Sequence, residues 1–459
     1  MMLLSQAATA VNGQLIGQDS LFTAVSKDSR DLDAGSLYVA IRGERFDGHA
    51  FVDQAQDAGA AGALVSEQQQ VDLPQIRVDD TRLALGALAA YWRQQYNGKI
   101  VGITGSNGKT SVKEMTRSIL EQAAGAEHVL STAGNLNNDI GMPITLLRLR
   151  GQHRFAVIEM GANHPGEIEY LTHIAQPHVA VINNAGPAHL EGFGSIEKVA
   201  SSKAEIYSGV VHGGTAVINA DDDYADYWRG VCAQLGGDKN LITFSMQDAS
   251  ADLYANPLDA DKTATIELKT PRGNGVVELM VPGTHNIMNA LAAAAVTSAL
   301  EIDLEDIIAG LAAFEGVSGR LAYCCTASGA KIINDTYNAN PSSLKAAMQV
   351  LADSGDDTWL VLGDMAELGD EQVELHRQVG EQARSLGVKH LLATGDLASH
   401  AVESFGEGAA FFADRGQLVE QLQRRISEQS VVLVKGSRSM RMEQIVDALL
   451  DRPEAQGVR

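Results

Sequence analysis

Short runs of apolar residues, with no polar alternation, recur along the middle of the chain at residues 100–104, 155–158, 179–182 and 216–218. Segments of helical period separate them. Strands this apolar are buried on both faces, so the pattern predicts a parallel sheet with helices packed on either side. Two later runs, 264–268 and 276–281, do alternate. The turn residues Pro271, Arg272, Gly273, Asn274 and Gly275 join them, which predicts an antiparallel insertion. Upstream, the pattern predicts a strand at 36–41, a helix at 51–59 and a strand at 63–65. A further helix is predicted at 82–96, with Asp80 or Thr81 as its N-cap and Asn97-Gly98 as its stop. Downstream of Val317, strands are predicted at 331–333, 359–362, 390–393, 411–412 and 431–434. Helical patterns lie between them, as at 342–352 and 371–385, and together they suggest a second doubly wound unit. The expected fold class is α/β with three domains. These are a smaller N-terminal α/β domain (1–80), a central doubly wound P-loop domain (81–316) and a C-terminal Rossmann-like domain (317–459).

Composition narrows the class of partner. Asp and Glu outnumber Lys and Arg by 58 to 35, a formal net charge of −23. That balance argues against non-specific binding to nucleic acid or anionic membranes, both of which need a basic face. The N-terminus lacks a basic segment followed by a long apolar run, and no window of about 18 residues is apolar enough to span a bilayer. A cytoplasmic protein without membrane insertion is expected. Cys232, Cys324 and Cys325 show no CxxC spacing, which argues against a disulfide framework or a thiolate zinc site. The adjacent pair is read as a strand residue and its neighbour.

The strongest local signal runs from Gly102 to Ser111. It follows an apolar strand and opens a helix whose apolar positions Val112, Met115, Ile119 and Leu120 recur at helical spacing. Gly105, Ser106, Asn107 and Gly108 let the backbone curl its N–H groups around a phosphate chain. Lys109 reaches the β/γ-phosphates, Thr110 supplies a hydroxyl for Mg²⁺, and Ser111 sits in the first turn of the helix. The strict P-loop pattern fails at Ile103, where its first glycine belongs. ATP and Mg²⁺ are the expected cofactors. Glu159 closes the strand at 155–158 and offers the hard oxygen that Mg²⁺ requires. His189 and Lys203, taken alone, are unremarkable.

Ten segments read together are more specific. They are Thr104-Gly-Ser-Asn-Gly-Lys-Thr-Ser111, Gly134-Asn-Leu-Asn-Asn-Asp-Ile-Gly141, Glu159-Met-Gly-Ala-Asn-His164, His189-Leu-Glu-Gly-Phe-Gly194, Ser202-Lys-Ala-Glu-Ile206, Gly283-Thr-His-Asn-Ile-Met-Asn289, Gly319-Arg320, Asn334-Asp-Thr-Tyr-Asn-Ala-Asn-Pro341, Gly363-Asp-Met-Ala-Glu-Leu-Gly369 and Lys435-Gly-Ser-Arg438. In this order they resemble the Mur ligase family, ATP-dependent amide-bond ligases of peptidoglycan synthesis. The family's phosphate loop departs from the strict pattern in the same way. The likeness is greatest to the member that joins D-alanyl-D-alanine to UDP-N-acetylmuramoyl-tripeptide through an acyl phosphate.

The resemblance implies roles for the matching residues. Lys109, Lys203, His189 and Arg320 would be catalytic. Thr110, Glu159, His189 and Lys203 would serve two Mg²⁺ ions, with Lys203 carbamylated and so converted from a cation to an anionic ligand. His285, Asn286 and Asn289 would bind adenine, and Arg320 and Asp335 would reach ATP from the hinge and the C-terminal domain. Asn138, Asn338, Asn340, Lys435, Ser437 and Arg438 would face the peptide substrates. Ser29, Arg30, Asp47 and His49 would line the UDP-sugar pocket. A monomer is expected.

Two alternatives stay open. One is another ligase of the family, adding a single amino acid, such as the third of the peptide, or a folylpolyglutamate synthetase. The segment 334–341, without the Asp-His pair typical of those relatives, and the lack of an Asp-Asn-Pro-Arg motif weigh against it. The other is a P-loop nucleotide switch, which would have no use for Lys203 or for residues 435–438. A chain of charge −23 repels anionic substrates over a Debye length of about 8 Å, so their binding has to rest on loop N–H groups, local cations and metal ions.

Overall fold

The computed structural model describes residues 1–43, 46–187, 190–236, 238–258, 264–281 and 283–450. Three larger sheets follow one another along the chain. The first has five strands in the order Gln14–Ile16, Gln75–Arg77, Gly62–Val65, Ser36–Val39 and Ala24–Ser26. All neighbours are parallel except the first pair. The second has nine strands. Its parallel part runs Leu253–Pro257, Asn240–Ser245, Thr215–Asn219, Val179–Ile182, Lys99–Thr104, Phe155–Glu159 and Val129–Ser131. The antiparallel pair Ala264–Thr270 and Gly273–Leu279 continues this sheet beyond Leu253–Pro257, rather than forming a separate insertion. The turn between them is shorter than the glycine-rich sequence suggests, since Gly273 already pairs with Thr270.

The apolar strands of the centre are buried on both faces, as their composition requires. Ile100, Ala156, Ile158, Ala180 and Ile182 belong to one apolar cluster; Val101, Ile103, Val157, Val179, Val181 and Val217 belong to the other. The second cluster is covered by the helices Lys109–Ala124, Thr284–Ala299 and Leu304–Ala312. Alanines dominate the buried face of Thr284–Ala299, and small side chains let it lie close to its neighbours. The first cluster does not stop at the central sheet. It runs on through Ala84, Leu85, Leu88 and Ala89 of helix Thr81–Gln94 to Leu4, Leu37, Leu64 and Ile76. The N-terminal and central sections therefore share one core. Asp80 caps that helix, its carboxylate accepting from the N–H groups of Arg82 and Leu83.

The third sheet has the order Ala322–Cys325, Lys331–Asp335, Ser430–Lys435, Asp357–Leu362, His390–Ala393 and Ala409–Phe411, antiparallel only at its first pair. Its two apolar clusters draw on this section alone. The strand Ala322–Cys325 carries the adjacent cysteines on opposite faces, and no disulfide forms among the described residues. No described helix is long and apolar enough to cross a membrane.

Candidate active site

The phosphate loop leaves the strand Lys99–Thr104 at its C-terminal end and enters helix Lys109–Ala124. Gly108 has a φ of +77°, and a Cβ there would lie 2.2 Å from Asn289 Oδ1 and 2.4 Å from Asn183 Nδ2. Only glycine fits at this position. The amides crowding it are themselves ordered: Asn183 Nδ2 donates to Asn289 Oδ1 (2.8 Å) and to the Asn107 carbonyl (2.9 Å). Asn184 brackets the same loop residue, accepting from the Asn107 N–H (2.9 Å) and donating to its carbonyl (3.1 Å). Lys109 folds back on its own loop and donates to the carbonyl of Gly105 (2.7 Å). Burial lowers its pKa, an effect opposed by Glu159 and reinforced by Arg320.

Behind Lys109, a buried polar cluster joins three elements. Thr110 donates its hydroxyl to Glu159 Oε2 (2.9 Å), and Asn137 Nδ2 donates to Glu159 Oε1 (2.8 Å). The Glu159 N–H donates to Thr132 Oγ1 (3.0 Å), and the Thr132 carbonyl is held by Lys113 Nζ (2.7 Å). Glu159 is only 2% exposed. Its carboxylate is thus fixed in direction, with both oxygens oriented by neutral donors. Arg320 Nη2 reaches across to donate to Thr110 Oγ1 (2.8 Å). Its guanidinium lies 4.1 Å from the Tyr337 ring centroid, a cation–π contact. Gly319 before it and Leu321 after it both have positive φ, +74° and +52°. For leucine that conformation costs about 1–2 kcal/mol. It is held by the bond from the Leu321 N–H to Asp335 Oδ1 (3.2 Å).

Lys203 lies in the last turn of helix Ile196–Ala204 and is 3% exposed. Its ammonium makes no hydrogen bond or ion pair among the described residues. Burial, then the Lys109 charge, push its pKa well below the usual range. Burial in this way disfavours the charged form of the amine. On the far wall, Lys435 and Asp335 sit in register at the ends of neighbouring strands and form a buried ion pair of 2.5 Å. Lys435 also donates to the Asn338 carbonyl (2.9 Å). His285 Nε2 and Arg320 Nε are buried without a partner among the described residues, and burial lowers the His285 pKa.

These groups surround a cleft of about 1430 Å³ between the central and C-terminal sections. Of the residues singled out in the sequence, Ser106, Asn107, Gly108, Lys109, Ser111, Asn138, Glu159, His285, Asn286, Asn289, Arg320, Asp335, Asn338, Asn340 and Lys435 line it. Thr110 and Lys203 lie buried at its back. Ser437 and Arg438 do not line it: Ser437 is buried, its N–H bonded to the Asp364 carbonyl (2.9 Å), and Arg438 pairs with Glu443. His189 lies outside the described residues. Ser29, Arg30, Asp47 and His49 stand apart in the N-terminal section. Arg30 forms a two-pronged ion pair with Asp28 and holds that carboxyl near a pKa of about 2. Asp47 Oδ1 accepts from the His49 N–H (3.0 Å) and its ring Nδ1 (2.6 Å), while His49 Nε2 accepts from the Ser66 N–H (2.9 Å). Asp47 and His49 thus cap and brace the 3₁₀ turn Gly48–Phe51.

Asn137, Asn183, Asn184, Thr132, Ser342 and Tyr337 carry much of the geometry without having been singled out. Asn183 and Asn184 follow an apolar strand as Glu159 does, and that strand-end position was the available signal.

Comparison with known proteins accounts for the arrangement. Three family models match in order: "Mur ligase family, catalytic domain" at residues 21–93, "Mur ligase middle domain" at 103–297 and "Mur ligase, glutamate ligase domain" at 319–438. The chain is 47% identical over 449 residues to the UDP-N-acetylmuramoyl-tripeptide–D-alanyl-D-alanine ligase of Escherichia coli, covering 97% of this chain and 98% of that one. It is also similar to the crystal structure of MurF from Acinetobacter baumannii, with a TM-score of 0.89, 37% identity and 98% of each chain covered. The MurF ligase of Thermotoga maritima, solved in complex with ADP, is similar at a TM-score of 0.81 and 27% identity, over 95% of this chain and 98% of that one. With the phosphate loop, the buried carboxylate and Arg320 all facing one cleft, these matches make the chain a member of the Mur ligase family.

Proposed function

We propose that the cleft joins the amine of D-alanyl-D-alanine to the terminal carboxylate of UDP-N-acetylmuramoyl-tripeptide, in peptidoglycan synthesis. The chain is an ATP-dependent peptide ligase. The observation that carries the choice of substrates is the near full-length identity of 47% to the Escherichia coli ligase of that name.

The chemistry follows from what a carboxylate cannot do. Its oxygen is too poor a leaving group for an amine to displace at neutral pH. In the first step a carboxylate oxygen attacks the γ-phosphorus of ATP, ADP leaves, and an acyl phosphate forms. In the second, the amine attacks the acyl carbon, loses a proton, and expels phosphate from a tetrahedral intermediate. Lys109, turned from the Gly105 carbonyl toward the phosphates, and Arg320 offset the charge of two anions brought together. Closing the cleft between the sections keeps the acyl phosphate from water.

The residues present fit Mg²⁺. Thr110 and Glu159 offer hard oxygens, and the Glu159 carboxylate is buried and oriented by Asn137. No group of three or more His, Cys, Asp or Glu side chains suited to a metal occurs among the described residues, so nucleotide oxygens and water would complete the shell. When bound, Mg²⁺ neutralises charge on the transferring phosphoryl group. Lys203, buried beside the cleft, is the residue that would be carbamylated: once deprotonated, its amine adds to the carbon of CO₂, loses a second proton, and becomes an anionic ligand. His189 would share that second site.

Ser29 and Arg30, on an exposed loop, are offered to the UDP moiety, with Asp47 and His49 shaping the neighbouring turn. The enzyme is read as a monomer working in the cytoplasm.

The test is ADP release with a panel of acceptors. ADP is expected only when the tripeptide nucleotide and D-alanyl-D-alanine are both present. Equal turnover with single amino acids would favour another ligase of the family, and acceptor-independent release would favour a nucleotide switch.

A further inference from the structure

The C-terminal section touches the phosphate loop at two points that flank Gly108 and Lys109. One is charged, Arg320 on Thr110. The other is a neutral ring of three side chains. Asn340 Nδ2 donates to Asn107 Oδ1 (2.8 Å), Asn107 Nδ2 donates to Ser342 Oγ (2.8 Å), and Ser342 Oγ donates to Asn340 Oδ1 (3.0 Å). The ring joins residues 233 and 235 positions apart.

Each member is fixed from its own side. Asn340 caps helix Pro341–Ala352, its Oδ1 accepting also from the Ser343 N–H (2.9 Å). The backbone of Asn107 is held by Asn183 and Asn184 at the ends of the central strands. The two sections share no apolar cluster, so polar contacts of this kind set their register. A displacement of the capped helix by one ångström would break two good hydrogen bonds to a loop residue adjoining Gly108 and Lys109.

We propose that Asn107, Asn340 and Ser342 are positioning residues, a neutral latch that seats the C-terminal section on the phosphate loop and aligns Lys109 for phosphoryl transfer. This goes beyond the ligase reading and rests on it for the reaction affected. Asn340 then acts on the loop rather than on the peptide substrate.

Asn340→Asp separates latch from cap. Aspartate caps a helix as well as asparagine does but presents only acceptors to Asn107 Oδ1. In the full-length chain, Asn340→Asp and Asn107→Ala should each lower kcat for ADP release at saturating substrates by about tenfold. The double variant should be no slower than the slower single, because both remove one interaction. ADP affinity should stay within about threefold, giving a kcat effect without a binding effect. Ser342→Ala, which leaves the cap intact, serves if Asn107→Ala does not fold. Without substrates, hydrogen exchange at amides 338–344 should quicken in Asn107→Ala, although the substitution lies in another section.

The proposal is overturned by any of three results: unchanged kcat in Asn340→Asp; multiplying effects in the double variant; or ADP affinity falling in step with kcat. Unchanged exchange at 338–344 overturns it too, whatever the substrates. If wild-type chain releases no ADP with both substrates while exchange responds as stated, the ligase reading fails and the latch stands.

Discussion

Where the N-terminal section meets the central one, the contact is a core: Leu85, Leu88 and Ala89 of helix Thr81–Gln94 lie in one cluster with Leu4 and Leu37 on one side and Ile100 and Ile158 on the other. Arg93, buried at this junction, donates to the carbonyls of Ala175 (2.8 Å), Tyr96 (3.2 Å) and Gln176 (2.9 Å). Where the C-terminal section meets the central one, the contact is polar and surrounds the cleft. Its buried cations bond to different partners, Lys109 to its own loop, Arg320 to Thr110 and Lys435 to Asp335, and Arg320 Nε has no partner among the described residues. Apolar burial is non-directional and holds two bodies as one. Directional bonds can be exchanged for bonds to a ligand at little net cost, which suits the closure proposed for this junction. The first junction spends its residues on stability. The second keeps its charges available for substrate.

Substitutions should separate the two. The largest effect is expected at the polar junction: Lys109→Met should cut ADP release about 10³-fold, since the phosphoryl group loses a buried cation. Its melting temperature should not fall, because a desolvated charge is removed. A large loss of stability would mean that Lys109 holds the loop together. Next, Leu85→Ala at the apolar junction should cost about 2–5 kcal/mol by denaturant titration while leaving kcat within about twofold. A kcat loss there would show that the cleft depends on this junction as well.

The smallest effect concerns acid. His178 Nδ1 accepts from the Ile100 N–H (3.0 Å), and burial, with Lys99 and Arg93 nearby, lowers its pKa to about 4. The unfolded chain takes up this proton near pH 6.5 and the folded one only near 4. Stability is therefore complete above pH 6.5 and declines as pH falls from there to 4. His178→Gln should flatten the slope in that window relative to wild type. Parallel slopes would mean that His178 does not titrate differently in the two states.

The same contrast explains what could be read from the sequence. The parallel centre was legible because Ile100, Val101, Val157 and Val181 leave no polar face. The phosphate loop was legible because its glycines, Lys109 and Thr110 are contiguous, and Glu159 because a strand end places it. Strands such as Asn240–Ser245 and Leu253–Pro257 were not, since they mix polar and apolar residues. Pairings across the cleft were not either. Nothing local in Asn107 points to Asn340, and nothing in Asp47 and His49 says that they would satisfy one another instead of a ligand. Periodicity reports burial, whereas such bonds depend on where distant backbone segments arrive.

The central claim is that this cleft activates a carboxylate by phosphoryl transfer. It is tested most directly by labelling the terminal carboxylate of the tripeptide nucleotide with heavy oxygen and turning the enzyme over with ATP and D-alanyl-D-alanine. The account predicts that each released phosphate carries an oxygen from that carboxylate. Phosphate free of label, with amide formed, would contradict it.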